Sequence, residues 1–158
     1  MADGVTLRAW GRDDAPALVA AWHDPAIIAG SAPPEDRSLA AAERWIAGVE
    51  VRERRLLAID RVIDVAGECV GEVGLSDIDQ RRGAALIGWW VGAGHRGHGY
   101  AAIGVEQMVL DLAPSIGVHA VLAEIGVDNP ASVRVAERAG FTRLREGDTA
   151  QPHVYVHR

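Results

Sequence analysis

Four glycines fall within eight residues, Gly92-Ala93-Gly94-His95-Arg96-Gly97-His98-Gly99, between an apolar β-type run, Ala84 to Val91, and a helical pattern opening at Tyr100. Glycine turns the backbone tightly and lets it approach a ligand closely, at the expense of chain entropy on folding. The first amides of the following helix lack intrahelical partners and sit at its positive dipole end. Such a loop suits an anion, above all a pyrophosphate. The plainer alternative is a strand-to-helix turn that simply needs glycine.

Gly92 to Gly97 spells the dinucleotide fingerprint, but its context is wrong for a nicotinamide site. That fingerprint opens a chain's first βαβ unit, with an acid about 20 residues on. Here some 90 residues precede it, and the candidate acid, Asp128, lies 31 residues past Gly97.

Periodicity places this loop late in an α/β chain. Val5 to Trp10 alternates as a strand, and Asp13 precedes a helix with Pro16 in its first turn. Asp24-Pro25 and Gly30 to Pro34 mark a loop, after which Ser38 caps an alanine-rich helix carrying Trp45 and ending near Arg52 to Arg55. That basic end reads as a solvated complement to the helix dipole. Leu56 to Val65 and Cys69 to Ile78 form a hairpin at Ala66-Gly67-Glu68, followed by the Ala84 strand. A helix over Tyr100 to Leu112, a strand over Val118 to Val127, a helix over Ala131 to Ala139 and two short strands complete the chain. The order predicts one domain over 1–158, a mixed sheet with helices on both faces.

Composition removes several function classes. Twenty-two acidic against 16 basic side chains leave a formal charge of -6, the wrong sign for neutralising nucleic-acid phosphates. All basic residues are arginine, so no lysine is present for a Schiff base or a Walker-type phosphate loop. Cys69 is the only cysteine, which precludes an intramolecular disulfide and a cysteine-built metal site. His95 and His98 flank the loop without a third ligand at metal spacing, so no metal is expected. The longest apolar runs, such as Ala17 to Trp22, fall far short of a membrane span. Met1-Ala2-Asp3-Gly4 lacks the start of a secretory leader, and a cytoplasmic protein is expected.

The loop can also be parsed as Arg96-x-x-Gly99-x-Ala101. With the Ala84 to Val91 strand before it and Asp128-Asn129-Pro130-Ala131-Ser132 to Gly140-Phe141 after it, almost the whole chain resembles the GNAT superfamily of acetyl-CoA-dependent N-acetyltransferases. It is most similar to the branch of ribosomal-protein N-terminal alanine acetyltransferases and small-molecule amine acetyltransferases. The resemblance implies a largely antiparallel mixed sheet in which two central parallel strands splay apart, with the pantetheine arm of acetyl-CoA in the gap. Trp90 and Val91 would hold the pantetheine and the thioester carbonyl. Amides of Arg96, Gly97, His98, Gly99, Tyr100 and Ala101 would hold the pyrophosphate, and Asn129 the pantetheine.

The resemblance is incomplete at the acid. Many members place a tyrosine on the last helix to protonate the leaving thiolate, and here Ala136 stands there. Ser132 is the substitute donor, its alternative being a helix-start residue. Glu72 is the candidate base, because it interrupts the apolar strand Cys69 to Leu75; the alternative is a carboxylate facing solvent or paired with arginine. Trp22, Trp45 and Trp89 are candidates for an acceptor pocket, with core packing as the plainer role. The implied acceptor is the primary amine of a small molecule or peptide N-terminus, and a homodimer stays open. The rival reading is a non-catalytic acyl-CoA-binding module.

Overall fold

The computed structural model describes residues 4–158; Met1, Ala2 and Asp3, read above for a leader, lie outside the described residues. A seven-stranded sheet runs from Val5 to His157 in the order β1-β2-β3-β4-β5-β7-β6. Its strands are β1 (Val5–Arg8), β2 (Ala58–Val65), β3 (Glu68–Asp79), β4 (Ala84–Val91), β5 (Ala120–Ile125), β6 (Thr142–Arg145) and β7 (His153–His157). Every neighbouring pair is antiparallel except β4 and β5.

That one parallel pair is short. It holds register at Ala84/Ala120, Ala85/Val121 and Leu86/Leu122 and goes no further. Ile87 to Val91 of β4 therefore diverges from the end of β5, which is the splay implied above. Parallel neighbours need a crossover, and here it is the helix that opens at the glycine loop.

The helices are α1 (Ala15–His23), α2 (Pro25–Ile28), α3 (Leu39–Ala47), α4 (Val49–Arg54), α5 (Tyr100–Gln107), α6 (Ala113–Ser115) and α7 (Pro130–Arg138). They divide between the two faces of the sheet. Val105 and Met108 of the α5 segment and Ala136 of α7 pack with Ile59, Ile63, Val73, Leu75 and Ile87 in the larger core. Leu18 and Trp22 of α1, Ala42 and Ile46 of α3 and Val49 of α4 pack with Val62 in a second, tryptophan-rich cluster. Alternation along β2 assigns its residues to these two layers.

Several boundaries differ from the sequence reading. β1 ends at Arg8, and Trp10 beyond it turns inward to 8% exposure. β2 begins at Ala58, because Leu56 takes a positive φ of 52 that an extended strand cannot contain. The long helix from Tyr100 passes through a π turn at Met108–Leu112 and ends at Ser115, with Pro114 unable to donate within it.

The basic end of α4 is not simply solvated. Arg52 lies with its guanidinium 4.5 Å over the Trp45 ring, while Glu53 takes a bidentate pair from Arg61 at 2.7 and 2.8 Å. The Glu53–Arg61 pair follows from α4 leading into β2, which brings its last turn against the start of that strand, while Arg52 reaches back over Trp45 of α3. Arg54 and Arg55 remain exposed.

Candidate active site

Gly97 and Gly99 adopt φ of +82 and +80, and nothing lies within 4 Å of where their side chains would project. Both demand the left-handed region, and both leave their backbone open to a ligand. Gly99 is the residue before α5, whose leading amides at Tyr100 and Ala101 have no helical acceptor. An open depression of about 590 Å³ adjoins the loop, lined by His98, Gly99 and Tyr100, by Ile103 and Glu106 of α5, and by Arg138 of α7. His98 and Tyr100 stack at 5.2 Å. Arg138 was not singled out by the sequence, because a basic residue in a last helical turn has a sufficient explanation in the dipole.

Arg96 has turned away from the loop's open side. Its Nε donates to Val91 O at 3.0 Å, and its Nη2 donates to Asp24 Oδ2 at 2.6 Å. The Arg96 side chain thus joins the end of β4 to the start of α2. Asp24 also accepts from Ala26 N as the cap of α2. Despite the opposing effect of partial burial, those bonds hold its carboxyl below the usual range.

Glu72 of β3 stands between Val62 of β2 and Trp90 of β4 in the ladder. All three therefore face the tryptophan layer. Trp10 meets Trp45 edge-on at 5.5 Å and Trp90 at 6.4 Å. Within this layer Glu72 Oε2 is buried without a hydrogen-bond partner among the described residues, as is Trp10 Nε1. Burial, and next the charge of Asp60, push the Glu72 carboxyl up to about 8, against the opposing pull of the Trp90 indole, Arg52 and the Trp10 indole. Glu72 is half-buried with its Oε2 enclosed, and among the described residues no arginine hydrogen-bonds it.

The tryptophans separate by face. Trp22, at 8% exposure, and Trp45 belong to the layer that contains Glu72. Trp89 packs against the larger core on the opposite face, and Trp90 takes the place nearest Glu72. Trp10 completes the layer, and the sequence reading left it in a strand because the alternation of Val5 to Trp10 continues past the true strand end.

Asn129 Oδ1 accepts from Ser132 N at 3.1 Å, so Asn129 is the N-cap of α7. Ser132 is half-buried in the first turn of that helix. Ala136 is 0% exposed, packed in the larger core. A second open depression of about 370 Å³ lies beside this turn, between Gly126 to Asp128 and Asp148 to Pro152. Among the described residues, no three His, Cys, Asp or Glu side chains gather in a way that would hold a metal ion, and no helix is long and apolar enough to cross a membrane.

Comparison with known proteins adds family to this geometry. The uncharacterized N-acetyltransferase p20 of Bacillus licheniformis is 25% identical over 152 residues, which cover 93% of this chain and 85% of that protein. The microcin C7 self-immunity acetyltransferase MccE, solved in complex with acetyl-CoA and AMP, matches with a TM-score of 0.81 at 20% identity, covering 98% of this chain and 92% of its own. The ribosomal L7/L12 alpha-N-protein acetyltransferase RimL, solved with coenzyme A, matches with a TM-score of 0.77 at 21% identity, covering 98% and 93%. At those identities the two structures show a shared fold. The sequence profile of the acetyltransferase (GNAT) domain matches residues 5–142, most of the length, and the chain therefore belongs to the GNAT family of acetyl-CoA-dependent N-acetyltransferases.

Proposed function

We propose that this protein transfers the acetyl group of acetyl-CoA directly to the primary amine of a small molecule or peptide N-terminus. The observation that carries the reading is the early end of β4–β5 pairing at Leu86/Leu122, with the open glycine loop at one side and Glu72, half-buried with its Oε2 enclosed, one strand away on β3. Backbone beyond Leu86 has lost its parallel partner and is available to a pantetheine amide. The amides at Gly97 to Ala101 offer a pyrophosphate the positive end of α5. Arg138, facing the same depression, is suited to a further phosphate.

Acetyl-CoA supplies an activated acyl group, so no protein nucleophile is needed. Glu72 takes the proton of the incoming ammonium, leaving the amine lone pair free to attack the thioester carbon. An ordinary glutamate is a poor partner for this, roughly 6 pH units weaker than an alkylammonium, and burial narrows that gap. As the C–N bond forms and the C–S bond breaks, backbone amides around Trp90 and Val91 favour the oxyanion, and the Ser132 hydroxyl donates to the departing thiolate. For this task a donor is needed, so it falls to the Val91 amide, while Val91 O accepts from Arg96 Nε.

The rival reading, an acyl-CoA-binding module without turnover, draws on Ala136, a buried methyl where an acid is common in the family. Thiol release from acetyl-CoA over a panel of primary amines separates the two. Amine-dependent, continuing release supports the transferase; stoichiometric binding with no release above the amine-free rate supports the module.

A further inference from the structure

The tryptophan layer contains a second acid that the chemistry above leaves without a task. Asp60 of β2 is opposite Gly74 of β3, while Glu72 is opposite Val62, so the two acids are diagonal neighbours on one face. Gly74 has no side chain, and Asp60 uses the room: a Cβ at Gly74 would lie 2.9 Å from Asp60 Oδ1. The Asp60 carboxyl thus rests over β3 in the row that contains Glu72. Asp60 is 9% exposed, and its Oδ2, Glu72 Oε2 and Trp10 Nε1 are all buried without a hydrogen-bond partner among the described residues. Three such atoms in one layer call for an explanation beyond packing.

Arg52 braces the arrangement from α4. Its Nε stands 3.7 Å from Asp60 Oδ2, and its Nη2 donates to Trp45 O at 3.1 Å. We infer that Asp60 is the positioning residue for Glu72, a buried carboxylate held over β3 by Arg52 and by the vacant side of Gly74 so that its negative charge keeps Glu72 a strong proton acceptor. The inference rests on Glu72 receiving the amine's proton.

The electrostatics follow from the neighbours. Two carboxyls in a poorly solvated layer resist carrying two charges, and the pair shares its protons. Burial raises the proton affinity of Asp60, but Arg52 and Arg61 oppose that rise; Glu72 is raised by burial and then by Asp60. As pH falls the pair's first proton therefore goes to Glu72 while Asp60 keeps its charge, and Glu72 is the acceptor once that proton has left. Other charged groups around the pair are Glu53 of α4, bonded to Arg61, and, around the Cys69 thiol of β3, Arg8 with its two carboxylate partners Asp14 and Asp64. From α1 and α3 the layer receives Leu18, Trp22, Ala42 and Ile46, all apolar.

Carbon-13 NMR titration of the glutamate carboxyls tests this, the resonance missing in Glu72→Gln being that of Glu72. The wild-type midpoint is expected above pH 7, and in Asp60→Asn its proton affinity is expected to fall at least tenfold, about one pH unit. Gly74→Ala, whose methyl displaces the Asp60 carboxyl, is expected to act in the same direction more weakly, and decides the matter if Asp60→Asn does not fold. A Glu72 midpoint unmoved in the folded variants overturns the inference, as does a wild-type midpoint in the ordinary carboxylate range. A midpoint that moves while the acidic limb of kcat/KM stays in place upholds the pair and removes Glu72 from the role of base.

Discussion

Arg96 Nη2 and Asp24 Oδ2 lie 2.6 Å apart, joining the glycine loop to the cap of α2 across 72 residues of chain. Arg96 is 40% exposed at its side chain, so the pair adds on the order of 1 kcal/mol or less to stability. It also ties the glycine loop to the start of α2. Arg96→Ala is expected to leave thermal stability nearly unchanged while raising KM for acetyl-CoA roughly 3- to 10-fold, up to ~1.4 kcal/mol. Steady-state kinetics beside a melting curve checks this, and an unaltered KM would show that the loop holds its shape unaided.

Gly99 offers a sharper test of the pyrophosphate site. Its φ of +80 is strained for any β-branched residue, and the space above it is open. Gly99→Val is expected to weaken CoA binding at least tenfold, ~1.4 kcal/mol, by calorimetry. NAD is expected not to bind either form. Wild-type CoA affinity in the variant would refute the site.

Ser132 can be separated from the cap it accompanies, because Asn129 accepts from the Ser132 amide and not from its hydroxyl. Ser132→Ala therefore preserves the cap of α7. It is expected to lower kcat by ~10- to 100-fold with little change in CoA affinity, as for loss of one positioned proton donor. Should kcat stay at the wild-type value, water protonates the sulphur.

Glu72 links stability to pH with an uncommon sign. Its carboxyl is raised from 4.5 to about 8 in the folded protein, first by burial and next by Asp60. Between those values the folded state binds more protons than the unfolded chain, so stability declines as pH rises through that window and levels off once pH passes 8. Glu72→Gln removes that dependence. Its unfolding free energy is expected to fall less between pH 5 and pH 9 than that of the wild type, and the acidic limb of kcat/KM to flatten with a lower plateau. Denaturant titrations across that range provide the first readout; parallel slopes for the two proteins would mean that Glu72 titrates as an exposed acid.

Local rules made much of this protein legible from its residues alone. The β2–β3 hairpin turns at Ala66 and Gly67 with φ of 54 and 86, the left-handed pair that a two-residue turn requires, and glycine announces it. The loop before α5 is equally local: Gly97, Gly99 and the first helical amides follow one another in the chain, so the left-handed turn into the helix can be read from spacing. Glu72 was visible as a charge in an apolar strand, because a strand covered on both faces has no solvated side to offer it.

Only the tertiary structure decided what surrounds that charge. Trp10 lies 62 residues from Glu72 and Asp60 lies 12, and neither separation carries a signal. Their meeting depends on the β2–β3 register, since a slip of one residue would send Asp60 to the opposite face. The same holds for Trp89 and Trp90, which alternation sends to opposite layers without saying which layer receives which. Arg138 reaches the loop only because α7 packs beside α5. Chain-local geometry is encoded by neighbours in sequence, whereas desolvation and charge coupling are properties of whatever the packed sheet brings within a few ångströms, and no window of sequence contains them.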